Sequence, residues 1–282
     1  MVEINDITKN YGDFHLNVSM EIPDGTIVGI VGRNGAGKST TIKAILGLIK
    51  LDGGQVKVFD KDVALLEAAD KQQFGITMAE SGFSSYFKIN DVYKILKKTY
   101  KNFDEEFFLA ECKRQDLPLN KKISEFSTGM KAKLKVLVAI SHKARFLILD
   151  EPTAGLDIIA RNEVIDMLRG YMEKQPETSM LISSHISSDL EGLCDDIYMI
   201  HNGKVLLHED TDSILGNYAV IKVSDAAYEN LDKVYLLKTK KQDYGYICLT
   251  NEKKYYLENY PDIVIENGNI DDLIIMMTDE EM

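Results

Sequence analysis

Gly32, Arg33, Asn34, Gly35, Ala36, Gly37, Lys38 and Ser39 fit the pattern G-x-x-x-x-G-K-[ST]. The types suit phosphate chemistry. Glycines let backbone N–H groups turn inward and approach a β-phosphate with no Cβ in the way, and a helix starting near Lys38 would add the positive end of its dipole. The Lys38 ammonium can bridge β- and γ-phosphate oxygens. The Ser39 hydroxyl can ligate Mg²⁺, and Thr40 follows in the same helical turn. A nucleotide is the ligand these residues predict.

Such a loop also needs an acid near the metal and a group that orients water. Phe146, Leu147, Ile148 and Leu149 form an apolar run from which Asp150 and Glu151 emerge together. Asp150 is the candidate for the metal side, and Glu151 is the candidate general base for the attacking water.

The elements that must carry these groups are legible in the apolar pattern. Ile27, Val28, Gly29, Ile30 and Val31 read as a strand buried on both faces, followed by the glycine loop and then by Ile42, Ile45, Leu46 and Ile49 at helical spacing. Upstream, Val2, Ile4 and Ile7, then Phe14, Leu16, Val18 and Met20, alternate like an edge of β-structure. From 81 to about 140 the texture is helical, with Val92, Ile95, Leu96, Phe107, Phe108 and Cys112 on apolar stripes. Strand texture returns at 146–149, 180–182 and 197–200, and Asn202-Gly203 predicts a hairpin into 204–207. Alternating strands and helices predict an α/β fold with a doubly wound sheet. Beyond Tyr218 the rhythm changes to βαββαβ plus a closing helix over 270–277, a small ferredoxin-like module.

Composition bounds the function. The chain has 282 residues, 45% apolar and 28% charged, which excludes wholesale disorder. Its 45 acidic against 33 basic residues give a net charge of -12, which argues against nucleic acid as a partner. Nothing approaches the roughly 20 consecutive apolar residues of a membrane span. Met1 to Asp6 carries Glu3 and Asp6 and lacks the pattern of a signal peptide, so a cytoplasmic chain is expected. Cys112, Cys194 and Cys248 are too far apart to suggest a disulfide framework or a zinc site.

Over residues 1 to about 215 the sequence resembles the ATPase subunit of an ATP-binding cassette (ABC) transporter. Besides the two motifs above, Phe126, Ser127, Thr128, Gly129 and Met130 resemble the family's signature loop. Ala154, Gly155, Leu156 and Asp157 resemble its D-loop, and His185 resembles the switch histidine. Ser127 lies 89 positions after Lys38, and His185 lies 34 after Glu151, in the family's order. The resemblance implies a P-loop NTPase cassette with a β-subdomain, a helical subdomain and here a small α+β C-terminal extension, dividing as 1–216 and 217–282. It implies ATP and Mg²⁺ as ligands and ATP hydrolysis as the activity. His185 would bind the γ-phosphate, and Tyr11, 21 positions before Gly32, would stack on adenine. Ser127, Gly129 and Asp157 would close over the nucleotide of a second ABC ATPase subunit, in a homodimer or heterodimer. An ordinary helix cap is the rival reading of Ser127 to Gly129.

There are departures. Glu80 stands where the family usually has a metal-ligating glutamine, Thr128 replaces a glycine, and Met130 replaces a glutamine. Phe83, Tyr86 and Phe87 fall where the family receives a helix of an integral membrane permease subunit, and they fit the core of the helical subdomain equally. The added tail is similar to exporter cassettes for peptides, antibiotics or drugs, which work peripherally on the inner face of the cell membrane. Two alternatives remain at this point, a soluble ABC ATPase acting on nucleic acid or ribosomes and a nucleotide-dependent regulatory protein.

Overall fold

The computed structural model describes residues 1–78 and 82–278. The metal-ligand candidate Glu80 and the acids Asp279, Glu280 and Glu281 lie outside the described residues. The chain opens with a hairpin of β1 (Val2–Tyr11) and β2 (Phe14–Ile22), whose alternate side chains, Ile4 and Ile7 facing Leu16, Val18 and Met20, are buried. Next come β3 (Ile27–Val31), α1 (Lys38–Ile45), β4 (Gly53–Val58), β5 (Lys61–Asp62), α2 (Ala68–Lys71) and β6 (Phe74–Thr77). Three helices follow, α3 (Ile89–Thr99), α4 (Glu105–Arg114) and α5 (Thr128–Ile140). The chain then returns to the sheet through β7 (Phe146–Asp150), α6 (Ile158–Lys174), β8 (Ser179–Ser183), α7 (Ser187–Glu191), β9 (Asp196–His201) and β10 (Lys204–Asp210).

These strands make one ten-stranded sheet in the order β5-β4-β1-β2-β10-β9-β3-β8-β7-β6. The five from β9 to β6 run parallel, and the side chains of β7 and β8 are buried on both faces. Leu147, Leu149, Met180 and Ile182 share a core with α3, α5 and α6, whereas Phe146, Ile148 and Leu181 share one with α1 and the first hairpin. All strand C-termini of this parallel half therefore open on one edge, where a ligand can sit.

After α8 (Thr211–Asn217) come β11 (Ala219–Val223), α9 (Asp225–Glu229), β12 (Leu236–Gln242), β13 (Gly245–Thr250), α10 (Lys253–Asn259), β14 (Val264–Asn267) and α11 (Ile270–Thr278). The four strands form a separate antiparallel sheet ordered β12-β13-β11-β14. Val220 and Leu249 on one of its faces join the main core together with Ile270, Leu273 and Met276 of α11. Ile221, Val223 and Cys248 on the other face pack under α9 and α10.

Three local expectations differ. The first hairpin is not an edge, because β1 is hydrogen-bonded on both sides, to β2 and β4. α1 stops before Ile49: Gly47, at φ 65°, gives its N–H to Ala44 O and Leu48 gives its N–H to Lys43 O, a Schellman ending. β12 starts at Leu236 rather than Val234, since Asp232 Oδ1 accepts the Val234 N–H at 2.9 Å and holds that segment in an Asx-turn.

Candidate active site

Between β3 and α1 the chain makes a loop that only glycine fits at key points. Gly32, Gly35 and Gly37 have φ of 150°, 81° and 117°. A Cβ at Gly32 would stand 2.2 Å from Ile200 O. Gly37 is the N-cap of α1 and offers no side chain, so no side chain of its own caps the N–H groups of the first turn. Lys38 is buried, with Nζ 2.8 Å from Gly32 O, to which it donates, and 3.7 Å from Glu151 Oε1. The Gly203 N–H, in the turn between β9 and β10, props the loop from behind by donating to Ala36 O at 2.8 Å.

The loop lines a cavity of about 590 Å³ together with Tyr11, Phe14, Glu151, Ala154 and His185. Asn34, Gly35, Ala36, Gly37, Lys38, Ser39 and Thr40 all reach it. Tyr11 stands at its mouth, 48% exposed, with Lys9 Nζ 5.4 Å from the ring centre. Phe14, absent from the sequence prediction, extends the same apolar wall, and its ring tip would lie 3.2 Å from a Cβ at Gly37.

At the end of β7 the two carboxylates diverge. Asp150 is 3% exposed, and its Oδ1 accepts the Ser39 hydroxyl at 3.3 Å and the Ser183 hydroxyl at 2.7 Å. Glu151 sits at φ 51°, in the left-handed region where a side chain is strained. Its N–H is held at 3.1 Å by both Ser183 O and Ser183 Oγ. Glu151 Oε2 accepts the His185 N–H at 3.2 Å and lies 2.5 Å from His185 Nδ1, so the proton between them belongs on Nδ1. Ser183 binds both carboxylate residues and was missed in the sequence. The signal available was a hydroxyl at the end of the otherwise apolar run Met180, Leu181, Ile182. Ser39 and Asp150 bring hydroxyl and carboxylate oxygens together, a hard donor set that suits Mg²⁺. Among the described residues no group of three or more His, Cys, Asp or Glu could hold a metal unaided.

Ser127, Gly129 and Asp157 do not reach the phosphate-loop cavity. They line a second cavity of about 520 Å³ with Gly155 and Ala160. Ser127 caps α5, its Oγ accepting the Met130 N–H at 3.2 Å, and Asp157 caps α6, its Oδ1 accepting the Ala160 N–H at 2.9 Å. A Cβ at Gly129 would stand 2.8 Å from Ala160 Cβ, so glycine lets the two capped helices approach. Of the three aromatics, Phe83 packs on the main core whereas Tyr86, 78% exposed, and Phe87 project outward.

A family model described as ABC transporter matches residues 16–154. The bacitracin transport ATP-binding protein BcrA of Bacillus licheniformis is 35% identical over 214 residues, 73% of this chain and 68% of that protein. The lantibiotic transport ATP-binding protein SrtF of Streptococcus pyogenes is 31% identical over 75% of this chain and 92% of its own length. The chain belongs to the ABC transporter ATP-binding proteins. A solved ATP-binding subunit of an ABC transporter superposes with a TM-score of 0.67 at 26% identity, over 76% of this chain and 91% of that one. As an ABC transporter ATP-binding subunit, the chain is a P-loop α/β cassette with an α+β extension, and it binds and hydrolyses ATP. Among the described residues no helix is long and apolar enough to cross a membrane.

Proposed function

We propose that this ABC subunit powers export through a separate integral membrane permease subunit, by closure of two cassettes around two ATP molecules. It acts peripherally on the cytoplasmic face of the membrane, and the bacitracin and lantibiotic names of its relatives suggest a peptide antibiotic as cargo. In this reading residues 1–216 are the cassette, about 81–140 its helical subdomain, and 217–282 a ferredoxin-like extension. The observation that carries the reading is the separation of two anion-ready cavities, one at the phosphate loop and one at the Ser127-capped helix. A single nucleotide cannot use both in one chain, but two copies can pair them reciprocally.

The roles follow from the geometry. Lys38, freed from Gly32 O, binds β- and γ-phosphate oxygens, and the N–H groups at the start of α1 cradle the β-phosphate. Tyr11 and Phe14 cover the base. Ser39, with Asp150 behind it, would hold Mg²⁺, which when bound would supply positive charge to the phosphates. Glu151 takes the proton of the attacking water, and His185 orients it against the γ-phosphate. Ser127 and Gly129 of the second cassette supply their helix N-terminus to that phosphate, with Asp157 beside it. Tyr86 and Phe87 offer exposed ring area to the permease.

The test is Glu151→Gln. Hydrolysis should fall by at least about 100-fold, while ATP and Mg²⁺ convert the monomer into a stable dimer detected by light scattering. A variant that still binds ATP yet stays monomeric overturns the two-cassette reading.

A further inference from the structure

The C-terminal helix α11 does not serve the small sheet alone. Ile270, Leu273 and Met276 are buried in the same core as Leu190 and Leu193, which flank the end of α7. The contact is polar as well. Glu191, the last residue of α7, accepts the Ile270 N–H on Oε1 at 3.0 Å, while Asn269 Oδ1 accepts the Asp272 N–H at 2.8 Å. Two of the four orphan donors at the start of α11 are thus held, one by its own cap and one by α7. A carboxylate is well matched to this positive helix end.

The other side of α7 is tied to the catalytic loops. Asp189 is buried and accepts the Thr153 hydroxyl at 2.5 Å and the Arg161 guanidinium. Thr153 lies two residues after Glu151, and Arg161 is in the first turn of α6, four residues after Asp157. At the front of α7, Ile186 directly follows His185 and gives its N–H to Ser184 Oγ at 3.0 Å. So α7 is a short helix with His185 at its leading end, the Glu151 and Asp157 loops at its side, and the extension at its trailing end.

We propose that α11 is a clamp on α7 that sets where His185 stands relative to Glu151, with Glu191 as a positioning residue. The extension thereby governs turnover at the phosphate loop. This rests on the reading of His185 as the group that orients the attacking water against the γ-phosphate. The clamp acts through α7 and touches neither Lys38 nor the loop glycines, so it affects the chemical step and leaves ATP binding alone.

The test uses the full chain with ATP and Mg²⁺. Glu191→Ala should lower kcat about five- to tenfold with KM for ATP changed by less than about twofold. Glu191→Gln keeps an oxygen that accepts the Ile270 N–H and should restore at least about half of the wild-type rate. Leu273→Ala, which loosens the apolar part of the same contact without burying a polar group, should show the same split between kcat and KM. In the double variant His185→Ala/Glu191→Ala the second change should add no further loss, because both act through one group. Wild-type kcat in both Glu191→Ala and Leu273→Ala overturns the clamp, and so does equal loss in Glu191→Ala and Glu191→Gln. Should His185→Ala alone keep full turnover, the reading of the site itself falls, and the clamp with it.

Discussion

Ser183 joins Asp150 and Glu151, the two carboxylates to which the proposed function assigns metal binding and water activation. Its one hydroxyl proton goes to Asp150 Oδ1, and its oxygen receives the Glu151 N–H that fixes a strained left-handed backbone. Removing a buried hydroxyl leaves its partners short of a bond, which costs about 1–3 kcal/mol. Ser183→Ala therefore should lower hydrolysis about tenfold and raise the Mg²⁺ concentration needed for half-maximal rate, because Asp150 loses the donor that orients it toward Ser39. ATP binding without metal, measured by calorimetry, should stay within about twofold, since no loop contact is touched. Equal loss of ATP binding with and without Mg²⁺ would show that Ser183 serves folding only.

Among the elements, the turn joining β9 to β10 holds the phosphate loop from behind. Asn202 and Gly203 both have positive φ, 46° and 75°, the pair a type I′ turn requires. A Cβ on Gly203 would stand 2.0 Å from His15 O, and the Gly203 N–H supports Ala36 O. Gly203→Ala should cost about 2–3 kcal/mol of strain, lowering the thermal midpoint by about 4–8 °C and raising KM for ATP. An unchanged KM would disconnect the turn from the loop. This turn was readable because Asn-Gly states its dihedral needs locally. So were β3, β7 and β8, whose uninterrupted apolar runs admit few alternatives to a strand buried on both faces. Contacts between distant segments were not readable. Nothing near Val2 says that β4 will pair on its far side, and nothing near Glu191 announces a helix N-terminus 79 residues away. Ile49 misled for a different reason: its spacing continues the helix, but Gly47 ends it, and the backbone preference overrode the apolar pattern. The motif residues of the site were legible because phosphate chemistry restricts their types, whereas Ser183 and Phe14 were not, because many residues can support a site from behind.

At the scale of the whole molecule, the helices at 89–140 must stay registered on the sheet while the site works, and His142 is buried at that seam. Its Nε2 lies 2.8 Å from Phe74 O on β6, its Nδ1 lies 3.3 Å from Val138 O near the end of α5, and its ring stacks on Tyr100 at 3.9 Å. Burial pushes the imidazole below its usual 6.5, outweighing the two carbonyls, which favour the charged ring. Burial also raises the Tyr100 hydroxyl, so neither ring at the seam is charged near neutrality. The folded chain therefore keeps His142 neutral at pH values where the unfolded chain protonates it. Above about 6.5 both states are neutral and the group contributes no slope. As pH falls below 6.5 the unfolded state binds the extra proton, and stability is lost down to the folded pKa, at no more than about 1.4 kcal/mol per pH unit for one proton. His142→Gln, whose amide can still donate to Phe74 O, should remove this slope. Thermal midpoints measured from pH 8 to 5 should run parallel for wild type and variant above 6.5, with the wild type then falling more steeply. Curves that stay parallel to pH 5 would mean that His142 accepts its proton in place and that the seam tolerates the charge.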